Sequence, residues 1–142
     1  MGEPKVMVAL RDAQSVESLI ELACQLSRGT EGDVLALHVV EVDMGLPLEA
    51  DDEVLEQPGK AILARAREVA LKCCSKEISA QMVRARLAGE AIVGEAVDHH
   101  IDLLVMGYHQ KHGLGEILLG STVQYVAKHA PCRVIVQIPK AG

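Results

Sequence analysis

The chain has neither tryptophan nor phenylalanine, and Tyr108 and Tyr125 are its only tyrosines. At a formal net charge of −6 it also lacks a basic stripe. Nucleic-acid binders need cationic surface for phosphates and aromatic platforms for bases, so DNA and RNA are not expected partners. No apolar run is long enough to cross a bilayer. Met1 to Leu10 has neither the basic start nor the cleavage pattern of a signal peptide. A cytoplasmic protein without direct membrane insertion is expected. The four cysteines, Cys24, Cys73, Cys74 and Cys132, show no C-x-x-C spacing and fall mostly on helix or strand faces, where a reduced thiol acts as a small hydrophobe. Neither a disulfide nor a structural zinc is expected.

Signatures of chemistry are missing as well. Gly115 to Thr122 (GEILLGST) approaches a P-loop but lacks its lysine, which removes support for that class of NTPase. The exit of the first strand reads Leu10-Arg11-Asp12-Ala13-Gln14, not the glycine fingerprint of a dinucleotide site. No nucleophile elbow surrounds Ser121, and no base can be placed beside it, so no catalytic residue is assigned. His109 and His112 stand three apart and could join Asp12, but without a third convincing ligand no metal site is expected. His38, inside an apolar run, reads as a satisfied core residue. His99 and His100 fall at a helix end, where the negative end of the dipole favours a partly charged imidazole. Arg84, Arg86, Lys111, His112, Lys128 and Arg133 are scattered and read as solvated surface.

What is present is a chain of 142 residues, about half hydrophobic, which fits one domain over 1–142. Strands are expected at Lys5 to Leu10, Asp33 to Val40, Ala80 to Leu87, Asp102 to Met106 and Arg133 to Ile138. Helices are expected at Ser15 to Arg28, Gly59 to Lys76, Gly89 to about His99, and Ser121 to His129. Between Glu41 and Gln57 the pattern breaks into acidic residues around Gly45 and Pro47, which reads as a flexible, solvated connection. Strict alternation of strand and helix implies an α/β fold: an open five-stranded parallel sheet, Rossmann-like, with helices on both faces. Ligands of such sheets sit beyond the carboxyl ends of the strands, where strand order reverses. If the first and fourth strands are neighbours there, Leu10 to Asp12 and Gly107 to Gly115 share one crevice.

The segment Val105 to Thr122, VMGYHQKHGLGEILLGST, runs from an apolar strand through a glycine-bearing loop into a helix start. Glycines allow close backbone approach to an anion, and the first amides of a helix point at it with the positive end of the dipole. A tight turn with a Ser121 or Thr122 cap would explain the same residues.

In strand and helix order and in local motif the chain resembles a universal stress protein domain of the adenine-nucleotide hydrolase-like fold. Nucleotide-binding members show Gly, two residues, Gly, nine residues, then Gly with Ser or Thr. Gly107, Gly120 and Ser121 stand at that spacing, and ILLGSTVQYVAKHAPCRVIV (Ile117 to Val136) is similar to the family's last segment. Gln110 replaces the second motif glycine, and Arg11 stands where the family usually has an acidic residue. The resemblance implies a regulatory domain binding ATP or AMP, with magnesium accompanying the nucleotide. It places the ligand against Ala9, Leu10, Arg11, Val39, Met106, Gly107, His109, Gln110, Gly113, Gly120, Ser121, Thr122 and Val123. It also implies a homodimer paired through the last strand, at Val134, Ile135, Val136, Gln137 and Ile138; slow ATP hydrolysis occurs in some relatives. VMVALRDAQSVESLIELA is similar to stress-type domains attached to amino-acid permeases and cation/proton antiporters, which would make a membrane transporter a partner. The alternative function is a nucleotide-independent dimeric interaction domain.

Overall fold

A computed structural model describes residues 4–27, 33–49, 53–108 and 120–138. Five strands, β1 (Val6–Ala9), β2 (Val34–Glu41), β3 (Ser79–Ala85), β4 (Leu103–Gly107) and β5 (Arg133–Gln137), alternate with four helices. These are α1 (Val16–Leu26), α2 (Glu53–Cys74), α3 (Ala88–Asp98) and α4 (Ser121–His129). All pairings are parallel, in the order β3-β2-β1-β4-β5. The sheet therefore grows outward from β1 in both directions. The adjacency of β1 and β4, on which the shared crevice depended, is present, with Ala9 opposite Met106.

Each face of the sheet is covered because its strands carry apolar side chains on both sides. Val6, Val8 and Leu10 point into one core with Val16, Leu19 and Ile20 of α1 and Ile62, Ala66 and Val69 of α2. Met7, Leu37, Leu104 and Met106 point into the other, with Ile92 and Ala96 of α3 and Val123 and Val126 of α4. The two-residue period of β1 is thus split between the cores, and a register slip of one residue would exchange their contents. On α1 the buried Val16, Leu19, Ile20 and Ala23 recur every three or four residues, giving the apolar stripe that seats it.

Two expectations need correction. The second helix begins at Glu53, not Gly59, so residues 53–57 belong to α2 rather than to the acidic connection, and Pro58 lies inside the helix. Proline there removes the amide that would otherwise bond to the Val54 carbonyl, a loss easiest to absorb in the early turns. Gly59 is needed for packing: a Cβ would lie 2.6 Å from His38 Cδ2 and 2.7 Å from Met82 Sδ.

Arg84 and Arg86 are also not simply solvated. Arg84 pairs with Glu56 at 3.0 Å and donates to the Leu48 carbonyl at 3.2 Å. Arg86 donates to the carbonyls of Val42 at 3.3 Å, Leu46 at 2.7 Å and also Asp43. The two guanidiniums pin residues 42–48 to the end of β3. At the sheet's far side β5 is an edge strand, ending at Gln137, with Ile138 beyond it and half exposed.

Candidate functional site

At the carboxyl ends of β1, β2, β4 and β5 lies a cavity of about 730 Å³. Ten of the residues expected to form the site line it: Ala9, Leu10, Arg11, Val39, Met106, Gly107, Gly120, Ser121, Thr122 and Val123. His109, Gln110 and Gly113 lie outside the described residues, as do Lys111, His112 and Gly115.

The floor of the cavity is built by β1. Leu10, past the strand's end, is still held: its amide donates to the Leu37 carbonyl at 2.8 Å, and its carbonyl accepts from His38 Nδ1–H at 2.7 Å. His38 is buried, so this bond satisfies the ring nitrogen and fixes the peptide that leads into the crevice. The expectation of a satisfied core histidine fits that geometry. The chain then turns into α1 through Asp12, whose carboxylate accepts from the Ser15 amide and the Ser15 hydroxyl, both at 3.2 Å. Asp12 therefore secures the entry to α1, while Arg11 beside it is exposed at the rim.

The opposite wall comes from β4 and α4. Gly107 closes β4, and a Cβ there would stand 3.3 Å from Leu19 Cδ1, so the absence of a side chain lets α1 lie close to the strand as well as baring the backbone to the cavity. Gly120 is the N-cap of α4, in extended backbone with φ −65° and ψ 164°, and no side chain caps the helix. This decides against the capping explanation of Ser121 and Thr122, which are the first two helical residues. The leading amides of α4 carry the positive end of its dipole toward the space that Ser121 and Thr122 line. No Cβ conflict exists at Gly120 among the described residues, and its φ is open to any residue type.

Between these walls the surface divides by chemistry. Ala9, Leu37, Val39, Ile92 and Met106 supply apolar area, and Gly107 with Gly120 to Thr122 supplies backbone and hydroxyl donors. Arg11 is the cation of the lining, and Asp12 and Glu41 are its carboxylates, among the described residues. Tyr108 is buried, and its hydroxyl finds no partner among the described residues. Glu41, Gln137, Ile92, Ala88, Gln14 and Ser18 also line the cavity and were missed. Glu41 and Gln137 are the last residues of their strands, so knowledge of where each strand stops would have found them.

The parallel sheet reverses its strand order between β1 and β4, which puts the cavity where α/β domains of this build hold their ligands. Residues 4–137 match the model of the universal stress protein family, and the chain belongs to that family. It is 30% identical over 142 residues to universal stress protein A homolog 2 of Coxiella burnetii, covering 92% of each chain. It is 35% identical over 120 residues to a universal stress protein of Methanocaldococcus jannaschii, covering 80% of this chain and 69% of that one. Among solved structures, the universal stress protein of Archaeoglobus fulgidus in complex with dAMP has the same fold, with a TM-score of 0.71 and 20% identity over 96% and 98% of the two chains. A universal stress protein in complex with cAMP (TM-score 0.68, 22% identity, 99% and 100% covered) shares it too. So does an AMP-bound family member from Arabidopsis thaliana (TM-score 0.61, 20% identity, 97% and 93% covered).

Proposed function

We propose that the cavity binds an adenine nucleotide, ATP or AMP, and that the domain is a regulatory nucleotide-binding module. The observation that carries this reading is the side-chain-free, uncapped start of α4 facing an apolar wall across one cavity. Phosphate oxygens meet the amides of Ser121 and Thr122 and the backbone at Gly107, and magnesium accompanies the nucleotide. The base and ribose lie against Leu10 and Val39, with Arg11 at the rim available to phosphate. The cavity's volume falls within the range of about 300–1,000 Å³ common to small-molecule sites. The dAMP, cAMP and AMP complexes of proteins with this fold support the ligand class.

Gly120→Val tests the placement. The backbone at Gly120 accepts a β-branched residue, and a Cβ there meets nothing among the described residues, so the variant should fold with wild-type thermal stability. Its branched side chain occupies the anion's position, so affinity for AMP should fall at least tenfold by calorimetry. Unchanged affinity would sink the reading.

A second reading is favoured by one observation: among the described residues β5 is an edge strand that no other strand pairs on its outer side, a surface that proteins normally cover. We propose that Val134 to Ile138 pairs with the same segment of a second copy. Light scattering should then give twice the chain mass, and Ile135→Pro should lower it; a monomeric wild type refutes that interface. A membrane transporter as partner rests on the resemblance of the first strand and helix alone.

A further inference from the structure

The spacing of the cysteines in the sequence conceals a cluster that the fold assembles. Cys24 lies in the last turns of α1, and Cys73 and Cys74 are the last residues of α2. The two helices pack against the same face of the sheet, and their ends bring the three Sγ atoms within 4.8 Å of one another. Cys24 is buried, whereas Cys73 and Cys74 are exposed, with their sulfurs 2.9 Å apart. Packing explains Cys24, but exposed thiols gain nothing as hydrophobes. Both helices run away from the carboxyl ends of the strands, so the cluster lies at the edge opposite the cavity.

We propose that Cys24, Cys73 and Cys74 form a binding site for a thiophilic closed-shell metal ion, Cu(I) or Zn²⁺, held by three thiolates. Sulfur is the donor that selects such ions. A metal about 2.3 Å from each sulfur sets the sulfurs about 3.8–4.0 Å apart, in trigonal or tetrahedral arrangement. The Cys73 and Cys74 sulfurs must therefore separate by about 1 Å. They stand on exposed side chains at the end of α2. Three thiolates complete a trigonal Cu(I) shell, and Zn²⁺ would add one water.

The surroundings are built to hold the two helix ends together. Lys76 Nζ donates to the Ser27 hydroxyl at 2.9 Å and to the Ser27 carbonyl at 3.4 Å, and that hydroxyl donates to the Cys24 carbonyl at 3.2 Å. Ser75, in the left-handed region at φ 50°, turns the chain sharply after Cys74 so that Lys76 reaches back. Loss of solvation, greatest at Cys24 and partial at the other two sulfurs, and the neighbouring thiols push all three up, Cys73 to about 11, while the Lys76 charge draws Cys24 and Cys74 back down. Each sulfur that binds the metal must release its proton to solvent.

The test uses the full chain, reduced and stripped of metal without oxygen. It is titrated with Zn²⁺ against a chromophoric chelator, with Cu(I) in the same way, and with Cd²⁺ to read sulfur-to-metal charge transfer. One ion per chain is expected, with charge transfer matching three sulfurs. Cys73→Ser and Cys74→Ser should each weaken binding at least tenfold, and so should Cys24→Ala, whereas Cys132→Ser should not. Wild-type binding no tighter than that of the Cys73→Ser/Cys74→Ser double variant overturns the proposal. That variant leaves the core untouched, so it decides even if Cys24→Ala fails to fold. A folded Cys24→Ala binding like wild type, or one ion shared by two chains, overturns it too.

Discussion

Replacing Gly59 by alanine sets two rules of helix stability against each other. In a helix interior alanine is favoured over glycine by about 1 kcal/mol, so from the sequence alone the variant should be more stable. In the structure the new methyl would lie 2.6 Å from His38 Cδ2 and 2.7 Å from Met82 Sδ, well inside contact distance. Met82 ends in a flexible thioether and can move aside. His38 cannot move freely, because its Nδ1–H is bonded to the Leu10 carbonyl at 2.7 Å and the ring is buried. Overpacking of this kind costs about 1–3 kcal/mol, and a ring pushed off its carbonyl adds part of the roughly 1–3 kcal/mol that an orphaned buried acceptor costs. Against the propensity gain, a net loss of about 2 kcal/mol follows. Urea denaturation should show a lower midpoint at unchanged slope, and His38→Ala in the same chain should recover about 1 kcal/mol of it through coupling. A Gly59→Ala protein as stable as wild type, or more so, would refute the close approach of α2 to β2.

Asp12→Ala removes the acceptor of two bonds at the entry to α1 and should cost about 1 kcal/mol, as lost helix caps do. Thermal unfolding checks it, and no loss would mean that the turn into α1 holds without that carboxylate. Arg84→Met breaks a pair whose partners are only 18% and 26% exposed and frees the Leu48 carbonyl. It should cost about 1–2 kcal/mol, less than a fully buried pair because solvent still reaches both groups. Limited proteolysis should then cut within residues 42–48 faster than in wild type; an unchanged rate would contradict the clamp.

The sheet was legible because its strands carry apolar runs such as Val34 to Val40, which only two covered faces require. His38 was legible for the same reason. The start of α2 was not: Pro58 and Gly59 carry the signs of a break, yet the glycine serves the crossing over His38, which no local pattern records. The roles of Arg84 and Arg86 were hidden because their acceptors, the Glu56 carboxylate and backbone carbonyls within residues 42–48, lie far away in sequence and are met only where β3 ends. At the cavity, glycines and hydroxyls near β4 and α4 were readable from motif, whereas Glu41 and Gln137 depended on strand register. The cysteine cluster joins two helix ends that are separate in sequence, and no spacing rule within one segment could bring them together.

Calorimetric titration of the purified, nucleotide-free protein with ATP, AMP and cAMP, each with magnesium, tests the central claim most directly. A cavity with an open helix start on one side and an apolar wall on the other predicts micromolar binding of at least one of them, about −8 kcal/mol, lost in Gly120→Val. No heat of binding up to about millimolar nucleotide, roughly −4 kcal/mol, would contradict it and leave the cavity as scaffold beside the β5 edge.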